Sequence, residues 1–207
     1  MPLEPGGQDV DRLLIRDYRD ADWPAVCVVH DRARPEELRG SCDPRAFVPL
    51  AEEQEDAESF RRSHKFVACV GEQIVGFVGT DGTYLSWLYV DPAYSGQGIG
   101  RRLLRVGVQY IGPHAWTVAL AGNTRSRRLY ESEGFQVVDT YDSTNAGYPC
   151  TCVRLALSPP HPRVSGRGAQ DPGAAEGRGV APEPDRVLAT LLWLGLVWVS
   201  WSAACML

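Results

Sequence analysis

The stretch VDPAYSGQGIGRRLL, residues 90–104, combines a strand end, a glycine-rich turn and a helix start. Pro92 ends an apolar run, and Gly96, Gly98 and Gly100 lead directly into apolar residues at helical spacing. Glycines let backbone N–H groups approach a ligand closely because no Cβ intervenes. The N–H groups at a helix start are unpaired and carry partial positive charge. The stretch therefore predicts a cradle for phosphate groups.

This turn differs from the two commonest phosphate-binding motifs. No Lys-Ser/Thr pair follows the glycines, as a Walker loop requires, and the glycine spacing is not that of the dinucleotide fingerprint. A glycine-rich helix start alone is weak evidence for phosphate binding, so the identification needs a second motif.

The second motif lies downstream in ALAGNTRSRRLYESEGFQVV, residues 119–138. It places Asn123 after an apolar run, Tyr130 in a helical segment and Gly134-Phe135 at the end of that segment. In this order and at this separation, the two motifs resemble the GCN5-related N-acetyltransferase (GNAT) superfamily. That family has a strand ending in Val-x-Pro, an Arg/Gln-x-x-Gly-x-Gly/Ala helix start, and then a strand, an Asn, and a helix with a Tyr and a closing Gly-Phe.

The resemblance covers residues 11–157 and implies the GNAT fold. This is an α/β fold with a mixed central sheet of about seven strands flanked by helices, in which two splayed parallel strands hold acetyl-CoA. Hydrophobic periodicity agrees with it. The predicted strands are 13–16, 66–70, 73–79, 83–90, 116–121, 135–141 and 151–157, and the predicted helices are 23–30, 98–111 and 124–133, with a polar, partly helical stretch up to 63. Asp20 or Asp22 is expected to cap the first helix.

The resemblance also implies an acetyl-CoA-dependent N-acetyltransferase. It would move an acetyl group to a primary amine of a small molecule or peptide by direct attack in a ternary complex. The pyrophosphate would rest on the N–H groups of residues 97–101, and the pantetheine on the backbone of 88–90 and on Asn123. Tyr130 matches the acid that protonates the CoA thiolate, although a half-buried packing aromatic is the alternative. The expected cofactor-binding residues are Leu88, Val90, Gln97, Gly98, Ile99, Gly100, Arg101 and Asn123.

Two departures from the family pattern leave questions open. Ser95 stands where the family has Arg or Gln, so a non-catalytic acyl-CoA-binding GNAT module is the alternative function. The strand TYLSWLYV, residues 83–90, has no carboxylate where many members place a general base. Tyr84, Ser86, Asp81, a water linked to the backbone, or a carboxylate from the polar segment remain candidates for that role.

The acceptor is the least defined part of the prediction. Residues 30–60 and 142–152 are expected to wall its cleft. The acidic residues of the first segment would attract a cationic amine or simply form a solvated helix start; they are Glu52, Glu53, Glu55, Asp56 and Glu58. Asp43 and residues 145–148 are further candidates for the cleft wall. Trp87 and Tyr148 would stack on a substrate or pack in the core.

Composition narrows the partners. The 207 residues include 21 Lys and Arg and 26 Asp and Glu, a net charge of −5, which argues against nucleic-acid binding. The six cysteines include no Cys-x-x-Cys motif, so free thiols are expected. Cys150 and Cys152 alternate on one strand, which is more typical of packing than of a metal site, and no metal is predicted. The oligomeric state is left open.

The chain divides into four predicted regions. Residues 1–10 form a loose N-terminus without the pattern of a secretory leader, which indicates a cytoplasmic catalytic domain at 11–157. Residues 158–186 are rich in Pro and Gly and predict a flexible linker. Residues 187–207 contain no charge and no Pro, and they are a candidate membrane anchor. A docked helix and an accidental extension of the chain are the alternatives for this last segment.

Overall fold

Seven strands and four helices are found along residues 13–157, the part of the chain that the computed structural model describes. The strands are β1 Leu13–Asp17, β2 His64–Val70, β3 Gln73–Asp81, β4 Tyr84–Val90, β5 Trp116–Leu120, β6 Phe135–Asn145 and β7 Tyr148–Leu157. The helices are α1 Trp23–Leu38, α2 Gln54–Arg62, α3 Ile99–Ile111 and α4 Thr124–Ser132.

The strands form one mixed sheet in the order β1-β2-β3-β4-β5-β7-β6. Neighbouring strands are antiparallel except β4 and β5, which are parallel and paired at a single position, Tyr84 with Trp116. The predicted fold class, a mixed sheet of about seven strands flanked by helices, is confirmed.

Helices cover both faces of this sheet. α3 packs on β2, β3 and β4, whereas α1 packs on β3 and β4. Val78 belongs to the core cluster that contains α3, and its neighbour Phe77 belongs to the cluster that contains α1. Because successive side chains of a strand point to opposite faces, α1 and α3 lie on opposite sides of the sheet.

The first helix is longer than predicted: it ends at Leu38 and not at His30. Its buried residues are Val26, Val29, His30, Arg34 and Leu38. Two of these five residues are polar, and both follow Val29, so the apolar periodicity fades halfway along the helix. Pro35 added a second misleading signal, because proline usually ends a helix, but here it lies exposed within α1.

The expected side-chain cap of the first helix is also absent. Asp22 occupies the cap position of α1 but makes no cap hydrogen bond to it. Its carboxylate instead accepts two hydrogen bonds from Arg16, at 2.7 and 2.9 Å, and one from the N–H of Arg19 at 2.8 Å. Asp22 therefore ties β1 to the single turn of 3-10 helix at Asp20–Asp22 that precedes α1.

The last two strands form a tighter hairpin than predicted. The stretch 142–149 was expected to be a loop, but β6 runs to Asn145 and β7 starts at Tyr148. Ala146 and Gly147 make the turn, with φ of 45° and 80°. Positive φ at both central residues fits the two-residue turns that match strand twist.

No helix within residues 13–157 is long and apolar enough to cross a membrane. The predicted anchor at 187–207, the predicted linker at 158–186 and the N-terminal segment at 1–10 lie outside the described residues.

Candidate active site

A cleft of about 410 Å³ lies where β4 and β5 separate. It collects all the predicted site residues except Gln97, which is exposed on the turn beside it. The predicted residues on its wall are Leu88, Val90, Gly98, Ile99, Gly100, Arg101, Asn123 and Tyr130.

The separation of the strands has a visible cause. After the single bridge between Tyr84 and Trp116, the hydroxyl of Thr117 donates a hydrogen bond to the carbonyl oxygen of Leu85 at 2.9 Å. Ser86 then forms a bulge, because the β3–β4 register shifts there. The Thr117 hydroxyl thus binds the Leu85 carbonyl oxygen, which a continued parallel ladder would pair with a backbone N–H of β5. The cleft opens beyond this point.

The glycine-rich turn forms one end of the cleft. Gly98 is the N-cap of α3 and has φ of 80°, a left-handed conformation that favours glycine. The buried carboxylate of Asp91 holds the turn, accepting a hydrogen bond from the N–H of Ala93 at 2.9 Å and one from Arg32 at 2.8 Å. A Cβ added at Gly96 or Gly98 would meet no atom within 4 Å, so the turn faces open space.

Two arginines line the cleft, and they differ in whether the side chain is already bound to other residues. Arg101 is bound to Glu133 at 2.9 Å and to the hydroxyl of Ser132 at 3.2 Å, so its side chain joins α3 to α4. Arg125 in the first turn of α4 is exposed and lines the cleft. Arg125 was not among the predicted site residues, because the family motif carries no cation at that position.

Asn123 begins α4. Its Oδ1 accepts a hydrogen bond from the N–H of Ser126 at 3.1 Å, which caps the helix. A hydrogen bond from this side chain to a ligand would therefore be donated by Nδ2. Beside it, the backbone of Gly122 passes so close to Gly40 that an added Cβ would clash with the Gly40 carbonyl.

Tyr130 lies in the middle of the cleft wall and is only 5% exposed. Burial raises the pKa of its phenol, and the negative charge of Glu37 adds to that rise, while a hydrogen bond with Thr117 opposes it. The phenol is therefore protonated at neutral pH and can act as a proton donor.

Residues 61–137 match the family model described as the acetyltransferase (GNAT) domain. This stretch of the chain therefore belongs to a GNAT acetyltransferase domain. The uncharacterized N-acetyltransferase YafP of Escherichia coli K12 is 24% identical over 131 residues, which cover 62% of this chain and 85% of that protein. The predicted family and the predicted class, an acyltransferase of the GNAT type, are confirmed.

Solved structures show the same fold at low identity. A GCN5-related N-acetyltransferase from Rhodopseudomonas palustris superposes with a TM-score of 0.63 and 15% identity, over 70% of this chain and 94% of its own. The ribosomal-protein-S18-alanine N-acetyltransferase of Escherichia coli gives 0.54 and 22%, over 70% and 92%.

Two carboxylates of α1, those of Glu36 and Glu37, also line the cleft, together with Tyr89 of β4. The Tyr89 hydroxyl donates to Oε2 of Glu37 at 2.6 Å, and Arg34 donates to the same oxygen at 2.6 Å. Glu37 lies in the stretch 30–60 that was predicted to wall the acceptor cleft, but it was not itself predicted, because the first helix was expected to end at His30.

The sequence candidates for the general base are separated by the structure. Tyr84 stacks on Trp116, and burial raises the pKa of its phenol, so it holds its proton. The hydroxyl of Ser86 is buried on the cleft wall with no hydrogen-bond partner among the described residues. Asp81 is exposed and does not line the cleft.

The sequence candidates for the acceptor wall also lie in different surroundings. Trp87 is buried against Phe60 and is a core residue. The guanidinium carbon of Arg45 lies over the ring of Tyr148, 5.0 Å from the ring centroid. Burial and then the charge of Asp56 raise the pKa of Glu53 to about 7. None of these side chains lines the cleft.

The described residues include no cluster of three His, Cys, Asp or Glu side chains suited to a metal ion. Cys150 and Cys152 are free thiols, and they pack with Cys42 in a small apolar cluster beside Leu38 and Leu120.

Proposed function

We propose that this chain is an acetyl-CoA-dependent N-acetyltransferase for a primary amine of a small molecule or peptide. The observation that carries the proposal is the cleft itself. Within about 410 Å³ it brings together a glycine-rich helix start, a stretch of β4 with no partner on its β5 side, and a buried phenol. Acetyl-CoA would supply the activated acetyl thioester. The open space over the turn and the unpartnered hydroxyl of Ser86 are features that a bound ligand would use.

The residues of the cleft would have the following roles. The N–H groups of 97–101 bind the diphosphate, since they lie at the positive end of α3. The backbone of 88–90 holds the pantetheine as an added strand, because β4 pairs with β3 there but has no partner on its β5 side. One of those N–H groups polarises the thioester carbonyl. Nδ2 of Asn123 donates to the pantetheine, and Tyr130 gives its proton to the leaving sulfur.

The reaction would be a single transfer in a ternary complex. The neutral amine nitrogen forms a bond to the acetyl carbon, the carbon–sulfur bond breaks, and the sulfur takes the proton of Tyr130. The nitrogen loses its extra proton to water, and the Tyr130 phenolate regains a proton from solvent, which restores the acid for the next turnover. The described cysteines offer no acyl carrier at the centre of the cleft, because none of them lines it.

A non-catalytic acyl-CoA-binding module is the alternative. The protonated phenol of Tyr130 on the wall of the cleft favours the enzyme, because binding alone does not need an acid there. The experiment is to incubate the full chain with acetyl-CoA and a panel of amines, polyamines, aminoglycosides, amino acids and peptides, following thiol release and product mass. Acetyl-CoA binding without transfer to any acceptor would favour the module.

A further inference from the structure

The wall of the cleft carries groups of both charges. Arg125 and the start of α3 line it, and so do Glu36 and Glu37 of α1, which packs on the opposite face of the sheet from α3. A donor that carries phosphates is attracted to the start of α3. The carboxylates of α1 therefore remain for the acceptor, and their charge favours a cation.

The carboxylate of Glu37 is held in a fixed orientation. Its Oε2 accepts hydrogen bonds from Tyr89 and Arg34, each at 2.6 Å. Arg34 is 9% exposed and the Glu37 side chain 19%, so both lie largely out of water. With Oε2 occupied by two donors, Oε1 is the oxygen that can receive a hydrogen bond from a ligand.

This arrangement suits an anchor better than a base. Arg34 is a permanent cation, and burial raises the pKa of the Tyr89 phenol, so both donors keep their protons at neutral pH. Two donors occupy Oε2, so the carboxylate is fixed in place as a hydrogen-bond acceptor for a ligand through Oε1. A carboxylate held in this way forms strong charge-assisted hydrogen bonds with a cation.

The attacking amine must be neutral, whereas the group that pairs with a stable carboxylate is charged. The attacking nitrogen and the charged group that pairs with Glu37 must therefore be two separate groups of the acceptor. We propose that Glu37 binds a second positive charge on the acceptor, so that the acceptor class is a diamine or an amine that carries another basic group. This inference rests on the proposed function and specifies its acceptor.

The test compares acceptors that differ only in the second charge. Straight-chain diamines of three to six carbons are paired with monoamines of the same length, and kcat and KM are measured for each. The chains are the wild type, Glu37→Gln and Glu72→Gln. Glu72 is exposed in the β2–β3 turn and lies off the cleft, so its substitution is a control for the loss of one negative charge.

In the wild type, kcat/KM is expected to favour the best diamine over its monoamine by about 10- to 100-fold, the range of a hydrogen bond to a charged group. Glu37→Gln removes that preference by raising KM for the diamine alone, and Glu72→Gln leaves it unchanged. Glu37→Asp restores part of it, because the charge is kept. Tyr89→Phe, which removes one donor and keeps the ring, lowers it several-fold.

Calorimetry with the diamine in the presence of CoA gives a second readout that needs no turnover. Binding that is lost in Glu37→Gln and kept in Glu72→Gln supports the inference even where no transfer is seen. Transfer to amines without diamine preference, or an equal loss for both acceptors in Glu37→Gln, overturns the inference and leaves the proposed function standing. Absence of both transfer and Glu37-dependent binding overturns both.

Discussion

The ring of Tyr84 in β4 lies against the ring of Trp116 in β5, with centroids 4.3 Å apart, at the only position where the two strands pair. The stacked pair marks the point beyond which β4 and β5 separate. Burial and the nearby Tyr130 raise the pKa of the Tyr84 phenol, so Tyr84 does not supply the missing base. Its side chain instead helps to fix the point from which the strands separate.

The turn at Gly98 should be essential for cofactor binding. Gly98→Val places a β-branched residue at φ of 80° and adds bulk where the diphosphate is expected. We expect calorimetry to show at least a tenfold loss of acetyl-CoA affinity.

The matched control for this variant is Gly82→Val. Gly82 also has a left-handed φ, 56°, and open space around it, but it lies in the β3–β4 turn. Both substitutions should lower the free energy of unfolding by about 1–2 kcal/mol. Equal acetyl-CoA affinity in Gly98→Val and Gly82→Val would contradict the assignment of the turn.

The phenol of Tyr130 should contribute to chemistry and not to binding. Tyr130→Phe should lower kcat by about 10²-fold, within the range of acid catalysis, and change KM for acetyl-CoA little. Because burial raises the pKa of the phenol, the wild type should keep this advantage through the alkaline range and lose it only as the pH passes that raised pKa. The measurement is the pH–rate profile of both proteins.

Tyr110→Phe is the control for the loss of a phenolic hydroxyl, since Tyr110 is exposed on α3 and stacks on His64. If Tyr130→Phe keeps the wild-type kcat at every pH, with chemistry shown to limit the rate, Tyr130 is a packing residue.

The sequence predicted the part of the cleft wall around the glycine-rich turn and α4 better than the part formed by α1. Gly98, Asn123 and Tyr130 lie in contiguous motifs, where local spacing determines which residues meet. Glu37 and Tyr89 are 52 positions apart and meet only because α1 packs on β4. That contact depends on a helix whose buried stripe includes Arg34, and no local pattern predicts such a pair.

The ion pair between Asp22 and Arg16 should make stability depend on pH. Its hydrogen bonds from Arg16 lower the pKa of Asp22 in the folded state, so the carboxylate contributes stability above its ordinary pKa near ~3.9 and loses it as the pH falls through the lowered value. Asp22→Asn should therefore cost about 1.5–3 kcal/mol of unfolding free energy at pH 7, and less below pH ~4.

Urea unfolding between pH ~2 and ~7 measures this difference, and Asp20→Asn is the control. Asp20 is exposed, and no hydrogen bond or ion pair of its side chain is seen among the described residues. A penalty for Asp22→Asn that stays constant across the whole range would show that the carboxylate charge is not the cause.

We propose that residues 11–157 form an independent domain and that 158–186 link it to a membrane-anchoring segment at 187–207. The cleft lies within residues 33–130, and the sheet is completed by β7, whose last residue Leu157 donates its N–H to the carbonyl of Ala115 at 2.9 Å. A chain truncated after Leu157 should therefore fold and bind acetyl-CoA with the affinity of the full chain, as thermal unfolding and calorimetry can check.

The full chain should also partition into lipid vesicles and the truncated chain should not, because about 20 apolar residues suffice to span a bilayer. Equal partitioning of the two chains would remove the anchor. An insoluble truncated chain, beside a full chain that is soluble without detergent, would instead show that the C-terminal segment packs on the domain.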